Sequence, residues 1–256
     1  GSIFLCWLVL QVPVSTTAMA AEYRIGHCLG GCPEGVGAEN RLVVRSLYAL
    51  SFDRARGAGS WMAYRMRAGA LGIASSLPRA LIDDPELELR ATDFDGFPRG
   101  DAGQDLVRAG LLPLMNVAGT PYWFEANLVS ASAVRSLSLE RGAWSGLEWS
   151  LRNLLARRGE VSVVTGPIYA TEARRGESDA GDGANPVAIG FFKLVATAAG
   201  ELSAFRFEQG FPVHVHHCQA RTTLEAIEAE TGLHFFPEWD RSVQGRESLD
   251  TQLGCY

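Results

Sequence analysis

The chain has 256 residues, is 47% hydrophobic and carries a formal net charge of −6 at pH 7. That length and apolar content suffice for one large domain with a substantial core. The acidic balance excludes binding to polyanions by bulk charge, leaving only a local basic groove for that purpose, and no apolar run reaches transmembrane length.

Ile3 to Val14 is almost continuously apolar and is followed by Thr16, Thr17 and Ala18-Met19-Ala20. This is the pattern of a secretory h-region and a small-residue cleavage site, here without a positive n-region. Residues 1–20 are therefore read as the remnant of an export signal and 21–256 as a single domain, secreted or periplasmic. Cleavage after Ala20 removes Cys6 and leaves Cys28, Cys32, Cys218 and Cys255. An even number of cysteines in an exported chain suggests disulfides, and four allow three pairings.

Gly30 to Ala38 is a Gly-rich loop. Arg41 to Ser51 carries β-type residues and is predicted to be a strand, with Trp61 to Met66 as its antiparallel partner across a turn at Asp53 to Gly59. Leu77 to Arg99, interrupted by Pro78, Pro85 and Pro98, reads as an irregular surface excursion. Trp144, Leu147, Leu151, Leu154 and Leu155 fall at spacings of three and four and predict a helix with one apolar face. Glu160 to Thr165 is a short strand closed by Gly166-Pro167. Ala170 to Pro186, rich in Gly, Asp, Glu and Ala, is a loop rather than a site. Phe191 to Ala196 and Ser203 to Phe207 are strands around a turn at Gly200. In Cys218 to Leu233, Thr222 and Glu225 form a capping box, Leu224 and Ile227 face inward, and Gly232 stops the helix.

His214, His216 and His217 beside Cys218 invite a zinc reading. In a strand, however, His214 and His216 share one face while His217 points away, and no third ligand is placed. A partly exposed strand is the preferred reading, and His27 is expected to be solvent-exposed.

The charged residues between Val107 and Arg152 are more suggestive. Glu140, Glu148 and Arg152 follow a four-residue spacing; each such step on a helix drifts by roughly 40°, so the two carboxylates sit about 80° apart on the same side. With Arg108 brought near that side, two carboxylates and two guanidiniums could hold a hard cation and a phosphate. On spacing alone they could equally be a surface network of ion pairs.

The surrounding strings carry a resemblance. Pro113, the run Ala118-Gly119-Thr120-Pro121-Tyr122-Trp123, and Gly142, Trp144, Leu147 and Glu148 match the core of the DNA/RNA non-specific endonucleases. These are secreted nucleases with a ββα-metal site whose relatives include mitochondrial endonuclease G. The strings Tyr48-Ala49-Leu50-Ser51, Trp61-Met62-Ala63-Tyr64-Arg65 and Val164-Thr165-Gly166-Pro167-Ile168-Tyr169 fit as well, so the chain resembles this family from Cys28 to Cys255. The resemblance implies an α+β fold, the ββα-metal nuclease fold, with a central, mainly antiparallel sheet flanked by helices. It also implies the pairings Cys28–Cys32 and Cys218–Cys255, the second stabilising by roughly 3–4 kcal/mol in the chain-entropy model.

The family's chemistry needs a His as general base, a divalent cation held by an Asn, and arginines on the phosphate. The Asp-Arg-Gly-His signature reads Val107-Arg108-Ala109-Gly110 here, so Gly110 stands in place of the catalytic His. Glu140 stands in place of the metal-binding Asn, and a supporting Asn reads Ala131. What the resemblance leaves is Arg108 and Glu148 as matching catalytic-site residues and Arg79, Arg108 and Arg152 as phosphate-binding residues. Glu140 and Glu148 remain as ligands for Mg²⁺. A lost general base costs about 10²–10⁴-fold in rate; Glu140 and Asp105 are the nearest candidates for a substitute. The expectation is a catalytically impaired homologue that binds DNA, RNA or a protein partner. The alternative is an active metal-dependent phosphodiester hydrolase with a substitute base.

Overall fold

The computed structural model describes residues 1, 24–94, 105–170, 187–240 and 247–256. Apart from their end residues Gly1 and Ala170, the proposed leader and the loop at 170–186 lie outside that set. Among the described residues, no helix is long and apolar enough to cross a membrane.

Strands β1 (Asn40–Val44), β2 (Tyr48–Asp53) and β3 (Ala58–Arg67) form a meander. A short hairpin of β4 (Leu106–Gly110) and β5 (Ser132–Ser136) follows later in the chain. The one-turn helix α1 (Leu137–Leu139), a π-type turn at Glu140–Trp144 and helix α2 (Ser145–Arg158) come next. Strands β6 (Glu160–Ile168), β7 (Gly190–Ala196), β8 (Leu202–Glu208) and β9 (Arg221–Thr222) lead to helix α3 (Leu224–Thr231). Seven strands make one sheet in the order β1-β2-β3-β6-β7-β8-β9, and every neighbouring pair is antiparallel.

Both faces of this sheet are covered, so its central strands are buried on both sides rather than alternating between core and water. One face carries Tyr48, Leu50, Met62, Tyr64, Val163, Phe191 and Val195 against Leu147, Leu151, Leu154 and Leu155 of α2 and against the β4–β5 hairpin. The other carries Ala49, Trp61, Ala63, Val164, Phe192 and Leu194 against Leu224 and Ile227 of α3 and Phe235. The disulfides Cys28–Cys32 and Cys218–Cys255, with Cα atoms 4.8 and 5.3 Å apart, have the pairing that the resemblance implied.

Several local expectations need correction. The strand expected over Arg41 to Ser51 is two strands, because the chain reverses at Arg45–Leu47, where the Arg45 N–H donates to the Tyr48 carbonyl at 2.8 Å. The β-type residues on either side are separated only by Arg45 and Ser46, which hid the turn. Strand β6 does not stop at Gly166-Pro167 but runs to Ile168, pairing Pro167 with Phe191 of β7. Pro167 is tolerated because β3 pairs with β6 only as far as Thr165, leaving the proline nitrogen on an unpaired edge. Gly166 is needed because a Cβ there would lie 2.4 Å from the Ser60 carbonyl. The cap of α3 is Thr223, whose hydroxyl accepts from the Ala226 N–H, while Thr222 is held in β9 opposite Ala204. Gly232 ends the helix with φ +72°, as expected.

The His cluster is not a strand. His217 is buried in a 3₁₀ turn, its Nε2 donating to the Leu253 carbonyl at 2.9 Å, and His216 Nδ1 accepts from the Cys218 N–H. His216, His217 and Cys218 do approach one another, within 4.8 Å. The Cys218 sulfur is committed to Cys255, and both imidazole atoms named are already hydrogen-bonded, so the set is a poor zinc site. His27 is half-buried rather than exposed, and its Nε2 donates to the Arg45 carbonyl at 2.9 Å.

Candidate active site: a buried ionic cluster under the hairpin

The β4–β5 hairpin sets the directions of the site residues. Arg108 pairs with Val134 and Gly110 with Ser132, while Arg135 pairs with Val107. Residues directly opposite in an antiparallel pair share a face, so Arg108 and position 110 lie on one face of the hairpin and Arg135 on the other. Arg108 Nη1 donates to Ser132 Oγ at 3.3 Å, and its guanidinium lies 4.7 Å above the Phe94 ring.

Gly110 leaves no hole. A Cβ built there would lie 3.1 Å from the Leu112 carbonyl oxygen, tighter than ordinary contact, and 3.4 Å from that of Ala126, at the edge of it. A larger side chain there requires the Leu112 backbone to give by a few tenths of an ångström.

After the hairpin the chain enters α2 through a distorted turn. Gly142 departs from helical geometry (φ −97°, ψ −114°), and a Cβ there would meet the Val213 carbonyl oxygen at 2.5 Å. The glycine lets the 211–216 segment pack directly on the turn. Because the kink interrupts the helix, regular angular stepping does not relate Glu140 to Glu148. They are related instead through Arg135, a residue that sequence reasoning passed over.

Arg135 is fully buried. Its Nη2 donates to the Gly110 carbonyl at 2.6 Å, and its Nε lies 3.0 Å from Glu140 Oε2. The guanidinium also lies 4.0 Å from the centre of the Trp144 ring and 5.1 Å from that of Phe191. Burial pushes its pKa down, while Glu140 and then Glu148 and Tyr64 oppose that shift; an arginine stays protonated regardless.

Glu148, 3% exposed, projects from α2 toward the sheet. Its Oε1 is ion-paired with the Lys193 ammonium of β7, and its Oε2 accepts from Asn116 Nδ2 at 2.9 Å. Lys193 is fully buried, and its ammonium lies 3.8 Å from the centre of the Trp144 ring. Burial pushes the lysine pKa down and Glu148 opposes that shift. Asn116 Oδ1 accepts in turn from Arg152 Nη1 at 3.4 Å. A polar relay thus runs from Lys193 in the sheet through Glu148 and Asn116 to the half-buried Arg152.

Of the expected site residues, Glu140, Glu148 and Arg152 join this cluster and Gly110 touches it only through its carbonyl, its side-chain direction lying with Arg108 on the opposite face of the hairpin. Arg79 is exposed on the loop after Pro78, and among the described residues no hydrogen bond or ion pair ties it to the cluster. Asp105 is exposed and precedes β4, about 17 Å along the strand from Gly110 at 3.4 Å per residue. It is badly placed to serve as a substitute base at position 110. Ala131 is fully buried.

Three residues were missed: Arg135, Lys193 and Asn116. Arg135 and Lys193 did leave a signal, each being a lone cation in an otherwise uncharged strand, Ser-Ala-Val-Arg-Ser and Gly-Phe-Phe-Lys-Leu-Val-Ala. Such a residue needs a buried counter-charge. Asn116 left none.

Comparison with known proteins agrees with this architecture. The chain is 31% identical over 240 residues to a nuclease of Serratia marcescens, covering 90% of this chain and 86% of that protein. It belongs to the DNA/RNA non-specific endonuclease family. The model of that family, described as DNA/RNA non-specific endonuclease, matches residues 121–242, starting downstream of Gly110. A nuclease of Nostoc sp. is 24% identical over 161 residues, covering 61% of this chain and 58% of that protein. Among solved structures, a chain in the crystal structure of the EndoG/EndoGI complex superposes with a TM-score of 0.66 at 20% identity, covering 88% of this chain and 96% of that one. The fold is therefore the α+β, ββα-metal fold shared with endonuclease G.

Proposed function

We propose that this protein is an exported member of the nuclease family whose cleavage chemistry is impaired and whose former substrate groove binds nucleic acid. The observation that carries the reading is the engagement of Arg135 with both Glu140 and the Gly110 carbonyl. No base stands at position 110, and the carboxylate at position 140 already has a cation. Phosphate contacts are assigned to Arg79, Arg108 and Arg152, the first exposed and the third at the outer end of the Asn116 relay. Two disulfides support an oxidising compartment, secreted or periplasmic.

The identity with the Serratia marcescens nuclease favours a second reading, an active metal-dependent phosphodiester hydrolase. In that reading Glu140 and Glu148 take Mg²⁺, which requires both to leave the cations they now face. A protein partner in the same groove is a third occupant.

The test is fluorescence anisotropy of labelled DNA and RNA oligonucleotides in EDTA. Affinity that falls steeply between about 50 and 200 mM salt supports phosphate binding. Arg79→Ala and Arg152→Ala should each reduce the slope of log K against log salt by about 1. Absent or salt-insensitive binding overturns the nucleic-acid reading and leaves the protein partner.

A further inference from the structure

We infer that the Arg135 guanidinium stands in for the divalent cation of this site, so that the native chain binds no metal there and a single neutralising substitution would open a latent metal site. The inference rests on reading this cluster as the former nuclease centre. Its test reads metal binding rather than nucleic-acid binding or cleavage, so the two can fail separately.

The carboxylates of Glu140 and Glu148 are matched one for one by Arg135 and Lys193, both fully buried. With Arg152 at the end of the Asn116 relay the cluster is already cationic, so an added divalent cation would bring two more uncompensated positive charges beside buried Arg135 and Lys193.

Among the described residues, the buried atoms of this cluster without a hydrogen bond are Arg135 Nε and Nη1, Tyr64 Oη and Glu140 Oε2. Two of the four are cationic donors and one is a hydroxyl. A metal ion needs lone pairs, and this set offers mainly N–H groups. The single carboxylate oxygen among them already lies 3.0 Å from Arg135 Nε. The residues present do not fit the cation that the family resemblance implies.

Geometry explains how the replacement is held. Arg135 reaches Glu140 because β5 runs directly into α1 and the distorted turn, which return position 140 toward the strand that carries Arg135. The Trp144 ring beneath the guanidinium and the Gly110 carbonyl fix its plane. A guanidinium so placed is permanent, unlike an exchangeable ion.

The experiment is Mn²⁺ binding to the full chain, followed by the loss of the free Mn²⁺ electron paramagnetic resonance signal. The native chain should leave the signal unchanged at millimolar Mn²⁺. Arg135→Gln, which removes the charge and keeps a polar side chain, should take up one Mn²⁺ per chain, at least about tenfold tighter than the native chain. Arg135→Met keeps the contact with Trp144 and Phe191, guards against a folding defect in the first variant, and should behave alike. Adding Glu140→Gln to either should abolish the uptake. Stoichiometric Mn²⁺ binding by the native chain that is lost in Glu140→Gln would overturn the inference, whatever the variants do. A folded Arg135→Gln or Arg135→Met that takes up no Mn²⁺ would overturn it equally.

Discussion

Arg135 Nε lies 3.0 Å from Glu140 Oε2, yet the two side chains differ sharply in exposure: the arginine is at 0% and the glutamate at 32%. Removing one partner therefore differs from removing the other. Glu140→Gln strands a buried cation and should destabilise by roughly 3–5 kcal/mol. Arg135→Met leaves a carboxylate that water can reach and should cost well under that. Urea unfolding of the two variants checks the order, and equal losses would contradict it.

The Glu148–Lys193 pair is buried on both sides. Glu148→Gln should destabilise by roughly 3–5 kcal/mol, because it leaves the Lys193 ammonium without a counter-charge. Glu148→Leu combined with Lys193→Met should recover most of that loss. A double-mutant cycle on thermal unfolding measures the coupling, and additive losses would show that the two charges do not act as a pair.

Much of this scaffold was legible in the sequence. The apolar face of α2, the β7–β8 hairpin and the αL stop at Gly232 all follow from local pattern, and the disulfide pairing followed from the family strings. The errors arose where one signal served two structures. A break of only two polar residues, Arg45 and Ser46, hid the reversal at Arg45–Leu47, and Thr222 fitted a capping box but was claimed by β9. The site was half legible: Glu140 and Glu148 were visible as a pair, but their cations come from β5 and β7 and are joined to them only by tertiary packing. Helical stepping from 140 to 148 could not foresee the kink at Gly142.

Gly110→His should not restore cleavage by itself. Its Cβ would press on the Leu112 carbonyl oxygen at 3.1 Å, and such overpacking costs roughly 1–3 kcal/mol. Gly110→His with Glu140→Asn should be less stable still, because Arg135 then loses its carboxylate. Adding Arg135→Gln should recover stability relative to that double variant. Thermal melts of the series test this, and a triple variant less stable than the double would contradict it.

Stability should fall as pH drops below the ordinary imidazole value of 6.5, because burial lowers the pKa of both His27 and His217 in the folded chain. Between that lowered value and 6.5 the unfolded chain binds more protons, so acidification favours unfolding; above 6.5 both states are neutral and the contribution is flat. His27→Gln should reduce the slope of melting temperature against pH in that window. An unchanged slope would show that His27 does not contribute.

The proposed function keeps the family scaffold and the phosphate-binding arginines and impairs the cleavage chemistry. Nicking of supercoiled plasmid DNA by the native chain in Mg²⁺ or Mn²⁺ tests it most directly, with Glu148→Ala as control. The plasmid should stay supercoiled with native chain and control alike. Divalent-dependent nicking by the native chain that disappears in Glu148→Ala would contradict it and make the protein a working nuclease.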